Sequence, residues 1–237
     1  MAGEFKHKDV NISLERYEWE GTNYHELDSG VEGDFIYWDA TALEFKRIAH
    51  ATDLDAHTRN MFQTLRTGMY HDFWYGGADA PTALTANVMY AVPLIVTRNV
   101  TVDRIAVFIV TADAGKVARL GIYNDGANLY PGDLLLDGGE ISVANNTTTE
   151  ALVINQALTK GIYWAVILSD GVPQPQKRGR SSSAPLGVNP TNFGYQYGGW
   201  DRAQAYGALP DPFTAGGALE FDSSIDPRIC LRVASLD

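Results

Sequence analysis

From about residue 84 onward, apolar positions fall into strand-length runs punctuated by Gly, Asn, Asp and Pro. Residues 102–110 are almost continuously apolar, which suits a strand buried on both faces. Val117-Ala118-Arg119-Leu120-Gly121-Ile122-Tyr123 follows and ends at Asn124-Asp125-Gly126, a hairpin turn signal rather than a phosphate-binding glycine loop. Residues 132–136, 139–143, 150–155 and 161–168 continue the series, each bounded by Gly, Asn or Asp. In residues 228–233 the alternation is clean, placing Ile229, Leu231 and Val233 on one face and Arg228, Cys230 and Arg232 on the other. About seven or eight strands at this spacing predict an all-β fold whose C-terminal part is a jelly-roll-like β-sandwich.

The leading third reads differently. Residues 1–33 are polar and poor in aliphatics, and predict an extended anchoring arm with one turn of helix over residues 14–20. Ser13 would cap that turn, although Arg16 stands where a full capping box needs Glu or Gln. Gly33 to Ile48 reads as two aromatic-rich strands around a small turn, and a lone two-stranded hairpin is marginal in water. Phe35, Ile36, Tyr37, Trp38, Leu43, Phe45 and Ile48 therefore need cover, and the simplest source is the same hairpin from sister chains. Over residues 53–73, Leu54, Met61, Leu65 and Met69 align on a helical stripe, while Thr58, Thr64, Thr67 and Gly68 suit an extended crossover equally well. Gly76-Gly77-Ala78-Asp79-Ala80-Pro81 is the clearest linker. The resulting division is an arm at 1–33, an oligomerising β-hairpin and connector at 34–80, and a sandwich head at 81–237.

Charge narrows the partners. A formal net charge of −11 argues against nucleic acid, whose phosphates demand clustered Lys and Arg. Residues 1–75 carry 14 Asp and Glu against 7 Lys and Arg, so the excess is concentrated in the leading third. That face either meets a basic partner surface or is simply solvated. Cys230 is the single cysteine, which leaves no intrachain disulfide, and its strand setting argues against a reactive thiol. The opening residues lack the apolar stretch of a secretory signal, and no apolar run approaches the ~20 residues of a bilayer span. The expectation is a protein made in a cytoplasm, with no membrane insertion.

Candidate chemistry is sparse. The chain has no G-x-S-x-G elbow, P-loop, H-E-x-x-H or paired-Cys metal motif, so no catalytic residue and no cofactor is expected. His7, His25, His50, His57 and His71 all fall in the leading third and could ring a three-fold axis around a metal. None has a second ligand at a familiar spacing, so polar interface histidines and no metal are expected. The pairs Asp53/Asp55 and Asp211/Asp222 read as solvated surface rather than glycosidase acids or calcium ligands. Between Asp170 and Pro227 the chain is rich in Pro, Gly, Ser and Tyr and reads as a long irregular stretch, whose basic portion with Lys177, Arg178 and Arg180 reads as a flexible loop. Asn192-Phe193-Gly194-Tyr195-Gln196-Tyr197-Gly198-Gly199-Trp200-Asp201-Arg202, continuing to Tyr206, is the strongest binding candidate. Aromatics interleaved with glycine and amides suit a sugar platform, where Tyr195, Tyr197, Trp200, Arg202 and Tyr206 would touch a glycan or partner. They suit equally a loop that folds back and seals a sandwich.

Phe5-Lys6-His7-Lys8-Asp9-Val10, Leu14-Glu15-Arg16-Tyr17-Glu18-Trp19 and Gly33-Asp34-Phe35-Ile36-Tyr37-Trp38-Asp39 resemble the leading segments of tailed-bacteriophage virion proteins, and Phe45-Lys46-Arg47-Ile48-Ala49 resembles a short repeat in their fibres. Arg119-Leu120-Gly121-Ile122-Tyr123-Asn124-Asp125-Gly126, Tyr130-Pro131-Gly132 and Gly161-Ile162-Tyr163-Trp164 are similar to β-sandwich domains on their fibres. The resemblance implies a non-enzymatic homotrimer on the virion. Its N-terminal part would dock on other virion proteins or intertwine about a three-fold axis, and its outward sandwich would be free to meet a host-surface glycan. Because the chain has no long repetitive shaft, a head-decoration or head-fibre protein is the alternative within the same family, and a carbohydrate-binding module the alternative outside it.

Overall fold

The computed structural model describes residues 65–73, 78–178, 186–221 and 226–236, together with the backbone of four short strands nearer the N-terminus. Two compact units divide the chain, residues 1–61 and 62–237. In the first, β1 (Tyr17–Glu18) pairs with β2 (Tyr24–His25) and β3 (Phe35–Asp39) pairs with β4 (Glu44–Ile48), both antiparallel. The hairpin read around Phe35 to Ile48 is thus present as backbone. Phe35 stands opposite Ile48 and Trp38 opposite Phe45. Tyr17 and Glu18 of the expected helical turn are in strand, a pairing that the two-residue alternation of Tyr17-Glu18-Trp19 also permits. The rest of that turn lies outside the described residues.

The second unit holds β5 (Tyr70–His71), β6 (Ala78–Asp79), β7 (Val88–Val96), β8 (Val100–Thr111), β9 (Val117–Asp125), β10 (Pro131–Ser142) and β11 (Thr148–Leu158). It continues with β12 (Gly161–Ser169), β13 (Gln174–Pro175), β14 (Lys177–Arg178), β15 (Val188–Asn189), β16 (Asn192–Ala203), β17 (Ala218–Phe221) and β18 (Ile229–Leu236). A seven-stranded sheet runs β10-β9-β12-β7-β16-β15, with β17 also on β16. A five-stranded sheet runs β11-β8-β18-β5, with β13 beside β8. Every pairing is antiparallel and no helix occurs among the described residues, so the fold is all-β and β-sandwich-like.

Strand alternation explains the core. Tyr90, Val92 and Leu94 of β7, Leu120 and Ile122 of β9, and Ile167 of β12 meet Ile105, Val107 and Ile109 of β8 and Ile229, Leu231 and Val233 of β18. Removing such side chains from water supplies about 25 cal/mol per Å² of apolar area. The alternation predicted for residues 228–233 is observed, with Ile229, Leu231 and Val233 buried and Cys230 and Arg232 half-buried.

Three expectations change. The separate strands at 132–136 and 139–143 are one strand, β10, whose register shifts between Asp137 and Gly139. Gly139 takes φ +100°, a conformation that side chains resist, so the glycine pair that suggested an interruption instead kinks a continuous strand. The irregular stretch expected between Asp170 and Pro227 contains five strands, β13 to β17. Lys177–Arg178 is paired with β6 rather than loose, and Arg178 is only 1 % exposed. Its guanidinium donates from Nη1 to the Pro93 carbonyl at 3.1 Å and from Nη2 to the Asp72 carbonyl at 3.4 Å, which offsets part of the cost of enclosing the charge.

The connector placed at 34–80 also contributes to this unit. Tyr70–His71 pairs with β18, the Ile95 N–H donates to the Phe73 carbonyl at 3.2 Å, and Phe73 is fully buried. Residues 70–73 thereby strap one sheet to the other. Asp72 accepts from the Arg228 Nε at 2.8 Å within the strap. Along residues 65–73 no helix occurs, residues 67–68 form a turn and Tyr70–His71 a strand, while Leu54 and Met61 of the expected stripe, with Thr58 and Thr64, lie outside the described residues.

Candidate functional site

Trp200 of β16 stands opposite Ala91 of β7, and Arg202 opposite Met89. Met89 and Ala91 alternate with the core residues Tyr90 and Val92, so they face away from the sandwich interior. There they join Tyr123, Trp164, Val166, Leu168, Leu209 and Phe213 in a second apolar cluster. A protein of this architecture would ordinarily leave that face to solvent, yet Met89, Tyr123, Trp164, Val166 and Leu168 are all fully buried.

The cover is the chain itself. Residues 204–217 cross the sheet, with the Phe213 N–H donating to the Gly132 carbonyl at 2.9 Å and the Leu209 N–H to Asp137 Oδ2 at 3.3 Å. Tyr123 donates its hydroxyl to the Pro210 carbonyl at 2.6 Å, and Tyr130 does the same to Thr214 at 2.6 Å. The Leu134 N–H donates to Asp211 Oδ1 at 3.0 Å, so Asp211 is occupied within the fold; Asp222 lies outside the described residues. Ring edges meet ring faces throughout: centroids lie 4.8 Å apart for Tyr130 and Trp200, 5.5 Å for Tyr130 and Phe213, and 5.4 Å for Tyr123 and Phe213. The indole N–H of Trp200 donates to the Leu129 carbonyl at 2.7 Å, and that of Trp164 to Asp125 Oδ1 at 2.8 Å.

A polar seam closes one side. Arg119 reaches both oxygens of Asp137, at 2.9 and 3.0 Å, and Glu140 at 3.5 Å. Tyr206 donates to Glu140 Oε2 at 3.0 Å. Burial, reinforced by the Glu140 carboxylate, pushes the Tyr206 hydroxyl up to about 12, so it remains a donor. The Asp137 carboxylate raises Arg119 as well.

Of the residues singled out in the sequence, Trp200, Arg202 and Tyr206 are brought to this covered face. Arg202 reaches the Gly216 carbonyl at 3.5 Å. Tyr197 instead accepts at its hydroxyl from Asn189 Nδ2 at 2.9 Å, within the β15–β16 ribbon, and the Tyr195 side chain lies outside the described residues. The arrangement seals the sheet: ring faces are engaged by other rings and the polar tips of Tyr123, Tyr130, Trp164 and Trp200 are bonded internally. Sequence reasoning missed Tyr130, Leu209 and Phe213. The apolar positions flanking the two prolines in Leu209-Pro210-Asp211-Pro212-Phe213 were the available signal.

Among the hairpin residues, Phe35, Ile36, Tyr37 and Trp38 lie on β3 and Phe45 and Ile48 on β4; their side chains, and Leu43 altogether, lie outside the described residues. His71 bonds locally to the backbone of Arg66, with Nε2 3.2 Å from its N–H. His25 is placed only as β2 backbone, and His7, His50, His57, Asp53, Asp55 and Arg180 lie outside the described residues. Among the described residues, no group of three or more His, Cys, Asp and Glu is placed to hold a metal ion. Burial raises the Cys230 thiol to about 11, which holds it protonated at neutral pH.

Fold and site together define a β-sandwich-like protein whose outer sheet face is closed by its own chain. Compared with known proteins, the chain matches no family model, no curated protein and no solved structure.

Proposed function

We propose that this chain is a non-enzymatic structural component of a tailed-phage virion, a homotrimeric appendage that associates through its first unit and displays its sandwich outward. The observation that supports it is the β3–β4 ribbon, a two-stranded sheet with Phe35 opposite Ile48 and Trp38 opposite Phe45. Phe35-Ile36-Tyr37-Trp38 is a run of four apolar or aromatic residues in the sequence of one strand. Two strands alone are marginal in water, and burial between copies, at ~25 cal/mol per Å², is the driving force for association. The virion setting and the three-fold copy number rest on the resemblance of the leading segments to phage proteins.

Within this reading the sandwich is a jelly roll. Supporting it, β7 pairs with β12, β8 with β11 and β9 with β10, the nested order of one antiparallel ribbon folded over on itself.

The test replaces Trp38 and Phe45 together with Ser in the full chain. Light scattering is expected to show a trimer for the parent and dissociated chains for the variant. An unchanged trimer in the double variant, or a monomeric parent, overturns the proposal.

A further inference from the structure

The outer face of the five-stranded sheet differs from its counterpart in the seven-stranded sheet, because exposed side chains remain on it. One row crosses it in register: Val153 of β11 opposite Arg104 of β8, Arg104 opposite Arg232 of β18, and Arg232 opposite Tyr70 of β5. Directly opposed residues of an antiparallel pair share a face. Leu231 and Val233, on either side of Arg232, are fully buried in the core, so the row points outward. Val153 is 74 % exposed and Tyr70 41 %.

A bulge builds the row. In β8 the buried positions step from Val100 and Val102 to Ile105, Val107 and Ile109, so the two-residue period slips at Asp103 and Arg104. Both partner strands shift register at the same place. The slip sets Asp103 beside Arg232, whose Nε and Nη2 donate to its two carboxylate oxygens at 2.7 and 2.6 Å. Asp103 is thereby held in a two-pronged pair with Arg232, and its charge is also felt by Arg104. Arg104 donates from Nη1 to the Asp103 carbonyl at 2.8 Å, and among the described residues it forms no ion pair. In a chain of net charge −11, two arginines stand here against the single carboxylate of Asp103, a local excess of one positive charge, with the exposed ring of Tyr70 next to Arg232 at the end of the row.

We propose that this row binds an anionic saccharide, with Arg104 holding a carboxylate or phosphate and Tyr70 carrying the face of a neighbouring sugar ring. The guanidinium supplies paired N–H donors for such an oxyanion. Arg104 and Tyr70 are two strands apart, about 10 Å at ordinary strand spacing, which is the length of about two sugar rings. This site is on the opposite sheet from Trp200, and it does not depend on self-association of the chain.

The test uses the full chain against three immobilised polysaccharides: polygalacturonate for carboxylate, a phosphomannan for phosphate, and dextran as the neutral control. The parent is expected to bind one of the charged polymers at least about tenfold more tightly than dextran at low salt, and to lose that preference at high salt. Which charged polymer binds identifies the oxyanion. Arg104→Gln is expected to abolish the preference and Tyr70→Ala to weaken it, while Trp200→Phe retains it. Val153→Glu leaves Arg104 in place but sets a carboxylate against it, about 5 Å away between Cβ atoms, and is expected to block binding as well. This second variant stands if Arg104→Gln fails to fold. Equal binding of all three polymers by the parent, or unchanged preference in Arg104→Gln or Val153→Glu, overturns the proposal. Light scattering on the same samples reads association separately, so failure of the virion reading is distinguishable from failure of this one.

Discussion

Trp200 ties strand β16 to the β9–β10 turn: its indole N–H donates to the Leu129 carbonyl at 2.7 Å while its ring and that of Tyr130 pack edge to face with centroids 4.8 Å apart. Trp200→Ala removes both and opens the rim of the outer apolar cluster. The loss is expected to be about 2 kcal/mol of stability, below the 3–5 of a fully buried Trp because Trp200 is only half-buried. Trp200→Phe keeps a ring and gives up the hydrogen bond, for about 1 kcal/mol. Urea unfolding curves with unchanged slope measure both. A wild-type midpoint for Trp200→Ala would mean that residues 204–217 are held without it.

Gly121 lies directly beneath that cover. A Cβ at this position would strike Leu209 Cδ1 and come within 2.7 Å of the Leu136 carbonyl oxygen. Gly121→Ala is therefore expected to cost about 2 kcal/mol through overpacking. Trimming the neighbour as well relieves only part of this, because the Leu136 contact is to backbone. A double-mutant cycle of Gly121→Ala with Leu209→Ala should show a favourable coupling of about 1 kcal/mol, whereas strict additivity would place the strain elsewhere.

These two positions show how far the sequence could be read. Alternation at Ile229, Leu231 and Val233 gave β18 directly, because a half-buried strand records its faces in its own residues. Strand β16 was hidden by glycine. Gly198 and Gly199 look like loop residues, yet Gly199 lies in the strand where an added Cβ would meet the Ala91 carbonyl oxygen, so close approach of β7 requires it. The aromatic cluster was visible as composition at Tyr206 and Trp200. Its partners Tyr130 and Phe213 were not, since they are joined to it by contacts such as Tyr130 to Thr214, across a separation of 84 residues that no local pattern encodes.

Arg178 is enclosed with two backbone carbonyls as acceptors, those of Pro93 in β7 and Asp72 in the strap. Arg178→Ala leaves these carbonyls without their donor in a dry site, and is expected to cost about 3 kcal/mol. The damage should be local first. Hydrogen exchange at the Ile95 amide, whose acceptor is the Phe73 carbonyl, and proteolysis near residues 66–73 are expected to accelerate before the rest of the sandwich opens. Uniform acceleration across all strands would show that the strap is not a separate unit.

Cys230 gives the fold a dependence on alkaline pH. Burial, reinforced by the charge of Asp72, raises its thiol from the ordinary 9.0 to about 11. Between these values the unfolded chain releases the thiol proton and the folded chain keeps it, so the unfolded state gains stability as pH rises. The contribution is intact below pH 9, is drained progressively above it, and has gone once pH passes about 11. Its full size is about 3 kcal/mol by linkage. Cys230→Ala should therefore lose less stability than the parent between pH 9 and 11, and the two curves should run parallel below that range. Tyr206, raised to about 12, steepens both curves alike at higher pH and leaves their difference unchanged. Iodoacetamide provides the independent check: at pH 8 the native thiol is expected to react far more slowly than the same thiol in urea. Equal rates in the two states would show that Cys230 is not shielded in its strand.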